Sequence, residues 1–260
     1  MKLSAPIHQL KHQARVLKKQ GSMTMLQALD AIAQREGFGS WSLLQARSGQ
    51  LLPRRYDAIL DYCNPADMVL VAGRPMHGKT SFAIGLMVQA MRQKAAPSAY
   101  FSLSFLEREV LEKMRACDPD IDAYLDRCVL DCSDAIDAEY IIKQTQGLGQ
   151  GAVIVVDYLQ LLDQKRTSPA LQHQVERLKA HAAQERAIIF CISQVNRDVE
   201  HRPNPRPGLD DIHLPNPLDL GLFNKRFFLY RKSNAQSVEV TLANPTPHRF
   251  TVGWRQGRFC

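Results

Sequence analysis

The sequence predicts an α/β chain in which a mostly parallel sheet is flanked by helices, preceded by a small all-α N-terminal domain. Three observations carry that expectation. The apolar run Met68-Val-Leu-Val-Ala72 leads through a glycine-framed loop into the helix-compatible run Ser81-Phe-Ala-Ile-Gly-Leu-Met87. From residue 67 onward, strand and helix signals alternate, as they do where crossover helices join parallel strands. The first fifty residues show only helical periodicity, with apolar positions three and four apart. The expected organisation is a basic helical domain over 1–50, a linker over 51–66 and an α/β domain over 67–260.

Taken in order, residues 5–20 read as an amphipathic helix. Ile7, Leu10, Ala14 and Leu17 share one face, with His8, Lys11, Arg15, Lys18 and Lys19 elsewhere. Gly21-Ser22 breaks it. A second helix over about 23–36 presents Met25, Leu26, Leu29, Ile32 and Ala33 and stops at Gly37, and Trp41 with Leu43 and Leu44 closes a third, short one. After the linker, which holds a short helix, the spacing predicts strand 68–72, helix 79–93, strand 98–103, helix 106–116, strand 127–132 and helix 135–147. Strand 152–157, helix 169–184 and strand 187–193 follow, then a Pro-rich loop over 202–217. Strands 226–231, 237–243 and 249–255 are placed to add antiparallel edges.

Composition narrows the class. A chain with 45% hydrophobic and 23% charged residues has the make-up of an ordinary globular protein. No apolar run approaches the roughly 18 residues needed to cross a bilayer, so no membrane partner is expected. Met1-Lys-Leu-Ser-Ala-Pro6 lacks the apolar core of a secretory leader, and the expected location is cytoplasmic. The six cysteines are scattered, and the one close pair, Cys128 and Cys132, has no companion ligands for zinc, so free thiols are expected. Net charge is +7, unevenly placed. Seven Lys/Arg against Asp30 and Glu36 give residues 1–50 a charge of +5, leaving +2 for the rest. A basic appendage on a near-neutral body suits a polyanionic partner. For the three-helix unit itself, nucleic-acid contact through the basic first helix is one reading and a packing or partner-docking module is the other.

The chemistry begins at Gly73-Arg-Pro-Met-His-Gly-Lys79-Thr80, which fits G-x-x-x-x-G-K-[ST]. Glycines at 73 and 78 let successive N–H groups turn inward onto phosphate oxygens. The helix that follows adds the positive end of its dipole. Gly73, Arg74, Pro75, Met76, His77, Gly78, Lys79, Thr80 and Ser81 are therefore expected to bind a nucleoside triphosphate, with ATP and Mg²⁺ as cofactors. Lys79 would reach the β- and γ-phosphates and Thr80 would hold the metal. Gly151-Ala-Val-Ile-Val-Val-Asp157 is a continuous apolar run ending in an acid, as a buried parallel strand does where ligands bind. Asp157 is expected to be the second metal partner, a helix cap being the alternative for an isolated aspartate. Ala187-Ile-Ile-Phe-Cys-Ile-Ser-Gln194-Val-Asn-Arg197 ends in a polar cluster, and Gln194 is expected to sense the γ-phosphate or the attacking water.

Four stretches, in the same order, resemble the C-terminal ATPase domain of DnaB-type replicative helicases. They are Ala72–Phe82, Phe101-Ser-Leu103, Val155-Val-Asp-Tyr-Leu-Gln-Leu161 and Ser193-Gln-Val-Asn-Arg197. A looser fifth runs from Arg206-Pro-Gly-Leu-Asp-Asp-Ile212 to Phe228-Leu-Tyr-Arg231. The resemblance covers about residues 65–260, and the first fifty do not look like that family's own N-terminal domain. It implies a RecA-like P-loop NTPase fold and an ATP-dependent DNA helicase or translocase, assembled as a homo-oligomeric, hexameric ring. Single-stranded DNA and replication proteins are the implied partners. Lys79, Thr80, Asp157 and Gln194 take the nucleotide roles. The places of the family's DNA-gripping loops hold Lys165, Arg166, Arg197, Arg202 and Arg206, whose alternative reading is solvated loop charge.

Two departures qualify the implied activity. Family members carry a catalytic glutamate directly after Phe-Ser-Leu, where this chain has Ser104. A serine is no general base at neutral pH without a partner. Glu107 or Glu109 is the nearest substitute, and Glu107 is the candidate. The family's Lys-x-Arg finger segment here offers Asn244 and Thr246, with Arg249 the nearest guanidinium. An arginine finger is worth orders of magnitude in rate, so the alternative to a working helicase is a hydrolysis-weak relative that binds nucleotide and docks on DNA or on a helicase.

Overall fold

The structure, a computed structural model, describes residues 3–5, 7–20, 23–44, 52–162 and 169–260. It divides into two compact units, Met1–Pro53 and Arg54–Cys260. In the first, α1 (Ile7–Gln20) packs on α2 (Met25–Arg35). Leu10, Ala14, Ala28, Ile32, Ala33, Trp41 and Leu44 form their core, whereas Leu26 and Leu43, expected on the apolar faces, are exposed. Thr24 and Gln27 cap α2 reciprocally, satisfying two of the donors a helix start leaves open. Residues 41–44 are helical, and Asp30 accepts the Trp41 N–H at 2.7 Å. The predicted break at Gly21-Ser22 lies outside the described residues.

The second unit is built around a nine-stranded sheet in the order β3-β2-β4-β5-β1-β6-β7-β8-β9. The strands are β1 (Met68–Gly73), β2 (Ser98–Ser102), β3 (Cys128–Asp131), β4 (Val153–Asp157), β5 (Ile188–Gln194), β6 (Lys225–Tyr230), β7 (Ser237–Asn244), β8 (His248–Arg255) and β9 (Arg258–Phe259). The first six run parallel and the last three antiparallel. β1, β2 and β4 are buried at every position, which is why β1 and, up to its terminal Asp157, β4 read as unbroken apolar runs instead of alternating ones, whereas β2 begins and ends on the buried Ser98 and Ser102.

The short helix α3 (Ile59–Tyr62) precedes β1, and α4 (Lys79–Lys94), α5 (Glu107–Cys117), α6 (Ala138–Thr145) and α7 (Leu171–Glu185) follow β1, β2, β3 and β4 as expected. On one face of the sheet, Leu70, Ile154, Ile189 and Phe228 pack with Ile141 of α6 and Val175, Leu178 and Ala182 of α7. α4 covers the other face, its Phe82 ring 5.8 Å from that of Phe227. The segment before β1 joins this layer, because Tyr56 donates to the Phe82 carbonyl at 2.6 Å and stacks on Phe259. At the N-terminal ends of β1 and β6 a buried ion pair joins Asp67 to Lys225, whose ammonium also lies over the Tyr62 ring. Predicted strand and helix limits fall within three residues of the observed ones; β9 alone had no counterpart in the sequence pattern.

Candidate functional site

The loop between β1 and α4 is shaped by two glycines for different reasons. Gly78 has φ +90°, the left-handed region that only glycine enters freely, and it is the N-cap residue just before α4. A Cβ there would also meet the Trp254 ring at 2.8 Å. Gly73 has ordinary φ, but a Cβ would lie 2.8 Å from the Leu229 carbonyl oxygen on β6. The Phe82 N–H closes the first helical turn on the Gly78 carbonyl at 2.8 Å, which leaves the Lys79, Thr80 and Ser81 N–H groups at the mouth of the loop, while the His77 N–H is donated to the Arg74 carbonyl at 3.2 Å. Lys79 Nζ donates to the Arg74 carbonyl at 3.0 Å. Burial brings its pKa down to about 8, against the opposing pull of Asp157.

The loop's other side chains divide between support and exposure. Arg74 is buried; it pairs with Glu200 at 2.5 Å and donates to the Val195 carbonyl at 3.4 Å. His77 meets the Leu229 carbonyl at 3.3 Å, and burial lowers its pKa. Pro75 and Met76 are exposed, Met76 at 84%. Arg231 steadies the loop from β6's end, donating to the Met76 carbonyl at 3.3 Å while its guanidinium lies over Trp254. Ser81, in the first turn of α4, lines a cleft of about 300 Å³ with Phe105, Glu109, Lys113 and Arg258.

Asp157 ends β4 in register with Ser102 of β2, and it is buried. Thr80 Oγ1 donates to its Oδ2 at 2.8 Å, and the Tyr100 hydroxyl donates to the same oxygen at 2.7 Å. Burial raises the Asp157 pKa, while those two hydrogen bonds and the nearby Lys79 charge pull it back. Gln194 ends β5 in register with Gly73, which sets it beside the first residue of the loop. Lys79, Thr80, Asp157 and Gln194 thus come together from three parallel strand ends, where such sheets bind ligands.

Ser104 lies two residues beyond Ser102 and is exposed, its N–H donating to Ser102 Oγ at 3.1 Å. Glu107 opens α5 and is exposed; its charge reaches Cys132 at the end of β3, adding to the burial that holds that thiol at about 11. Glu109 is occupied as the α5 cap, accepting the Leu106 N–H at 2.8 Å.

The candidate polyanion contacts are less uniform. Lys165 and Arg166 lie outside the described residues. Arg197 is exposed at the start of a 3₁₀ turn after β5. Arg202 pairs with Asp211 at 2.8 Å, and Arg206 grips Glu239 with two bonds of 2.6 and 3.1 Å beneath the Tyr230 ring. Arg249 is also drawn to Glu239, at 3.4 Å, and to Thr241 Oγ1 at 3.2 Å. Asn244 donates to the Asn224 carbonyl at 2.9 Å, bracing the start of β6. Sequence reasoning missed Tyr100, Glu200 and Trp254, and named Arg231 only as the end of a resembling stretch, with no role. Only Tyr100 carried a signal, as a polar-tipped aromatic inside an apolar strand.

The DnaB-like helicase C terminal domain family matches residues 54–127 and 126–219. A probable replicative DNA helicase of Guillardia theta is 27% identical over 225 residues, 74% of this chain and 37% of that protein. The replicative DNA helicase DnaB of Geobacillus stearothermophilus is 27% identical over 218 residues, 68% of this chain and 47% of that one. The chain thus spans less than half the length of either relative. Among solved structures, a DnaB-like replicative helicase, described together with its interactions with primase, superposes with a TM-score of 0.66 at 18% identity, covering 97% of this chain and 75% of that one. A KaiC-like protein of Pyrococcus horikoshii gives 0.56 at 13%, over 75% and 88%. These superpositions establish the RecA-like fold. With more than half of its length matched, the chain belongs to the DnaB-like helicase C-terminal domain family.

Proposed function

We propose that the chain is an ATP- and Mg²⁺-dependent helicase or translocase domain that acts on single-stranded DNA as part of a homo-oligomeric ring in the cytoplasm. The observation that carries this reading is the Thr80–Asp157 contact at 2.8 Å beneath the loop lysine. A hydroxyl and one buried carboxylate suit Mg²⁺, which keeps several waters and takes its remaining ligands from phosphates. When bound, the metal would neutralise charge on the β- and γ-phosphates. The chain's own part is positional. The turned backbone before α4 presents N–H donors, Lys79 exchanges the Arg74 carbonyl for phosphate oxygen, Tyr100 and Thr80 fix the Asp157 carboxylate, and Gln194 orients what lies beside Gly73. The remaining loop residues, Arg74 to His77 and Ser81, hold the loop's shape or its rim. Arg197, Arg202 and Arg206, with Lys165 and Arg166, are the DNA-facing cations of this reading.

A second reading is favoured by specific observations. Ser104 stands where a general base belongs, Glu109 is spent on a helix cap and Arg249 is tied to Glu239. A nucleotide-binding accessory of DNA or of another helicase needs none of these groups. The deciding experiment is steady-state ATPase with and without single-stranded DNA, alongside ATP binding, for the wild type, Lys79→Ala and Glu107→Gln. DNA-stimulated turnover lost in Lys79→Ala and reduced at least tenfold in Glu107→Gln supports the motor with Glu107 as base. Lys79-dependent binding without turnover sinks the motor and leaves the accessory.

A further inference from the structure

The site described above makes no use of the first unit, whose charge is arranged in a specific way. Lys11, Arg15 and Lys18 recur at helical spacing along α1, with Lys19 beside them, and all four are exposed. Among the described residues none of the four side chains takes part in an ion pair or hydrogen bond, whereas both acids of the unit are spent internally. Asp30 accepts the Trp41 N–H at 2.7 Å, and Glu36 accepts the Ser4 N–H at 2.7 Å and its hydroxyl. Lys18 and Lys19 in the last turn also complement the helix dipole, but Lys11 and Arg15 lie too far back to do so. The apolar stripe of α1 is used up as well: Leu10 and Ala14 are fully buried and Leu17 packs on the same core.

We propose that this face of α1 is a second nucleic-acid contact that binds the phosphodiester backbone without nucleotide. A row of cations with no counter-ion on a rigid helix suits closely spaced backbone phosphates, which neutralise several lysines at once and release counterions. A bilayer is disfavoured because, among the described side chains of α1, Leu10, Ala14 and Leu17 are already packed and Val16 alone is left as an exposed aliphatic. An acidic protein partner is disfavoured because the row carries no aromatic or large aliphatic anchor beyond half-exposed Val16, and such interfaces draw their affinity from buried anchors. The contact is to backbone and not to bases, so it carries no sequence preference. It is independent of the proposed motor activity, since it needs neither ATP nor the phosphate loop.

The test is fluorescence anisotropy of labelled single-stranded and duplex DNA with the full chain, without nucleotide, across a salt series. The probe variant carries Lys11→Gln, Arg15→Gln, Lys18→Gln and Lys19→Gln. A control removes the same charge from the larger unit through Arg54→Gln, Arg108→Gln, Arg127→Gln and Lys143→Gln. All eight are exposed, so both variants are expected to retain the wild-type circular dichroism and DNA-free ATP binding. The expected result is a loss of tenfold or more in affinity at low salt for the probe variant, with the log–log salt slope shallower by about 3. The control should change by less than threefold. Whichever DNA form loses more affinity identifies the backbone preferred. Equal losses in both variants, or unchanged affinity and slope in the probe variant, overturn the proposal, and the latter returns the face to a protein partner.

Discussion

The Lys79 ammonium sits among buried groups, and burial lowers its pKa to about 8. It must be charged to hold phosphate oxygens, so ATP stabilises the protonated form and raises that pKa on binding. The sign follows. Affinity is full below pH 8 and falls as pH rises through it, by about tenfold per unit at the steepest, until the raised pKa of the complex is passed. Binding at pH 8.5, where a group of pKa about 8 is about three-quarters deprotonated, should therefore take up at most about three-quarters of a proton, measured by calorimetry in two buffers of different ionisation enthalpy. Lys79→Met should take up none, and a wild type with no uptake would place the working pKa elsewhere. Lys79, Thr80 and Asp157 were legible because a short motif and a strand end fix the local backbone around them. Tyr100 was not: its bond to Asp157 exists only because β2 lies beside β4, in register at Ser102 and Asp157. Pairings of that kind, like Arg74 with Glu200 across 126 positions, follow from topology and not from spacing.

At the scale of elements, α4 carries both the loop and the packing that holds it still. Gly85 lies in its middle, where glycine costs about 1 kcal/mol relative to alanine. The reason is local: an added Cβ would clash with the Tyr56 hydroxyl, which bonds the Phe82 carbonyl one turn earlier. Gly85→Ala should destabilise the chain by about 1–3 kcal/mol in urea unfolding despite its better helix propensity. In a Tyr56→Phe background, which removes the clashing oxygen, that cost should fall by more than half. An equal cost in both backgrounds would mean that Tyr56 is not what the glycine accommodates. The helix and strand pattern was legible here because amphipathic and apolar runs are long. The role of residues 54–62 was not, since one aromatic reaching a distant helix leaves no periodic trace. β9 escaped for a related reason: two residues after the Gln256-Gly257 turn are too few to show alternation.

Across the whole molecule, charge is distributed so that the larger unit carries only +2, while the segment after β5 places Arg197, Arg202 and Arg206 among Asp198, Glu200, Asp210 and Asp211. The fold was legible from the order of its motifs, but this balance was not, because carboxylates far along the chain answer the loop cations. Glu239 on β7 is the shared partner. It holds Arg206 from the loop after β5 and Arg249 from β8, and is itself only 19% exposed at the side chain. If Arg206 is to meet a DNA phosphate, it must leave Glu239 or share it, and solvent reaching the guanidinium screens their pairing. Glu239→Gln should therefore raise affinity for single-stranded DNA, by about fivefold at low salt, because it frees Arg206 and removes a repelling charge. The gain should shrink as salt shortens the screening length. Adding Arg206→Gln should cancel it, since the benefit runs through that guanidinium. A gain that persists in the double variant would reflect net charge alone, and no gain at all would remove Arg206 from the DNA path and leave its grip on Glu239 as a brace between loop and sheet.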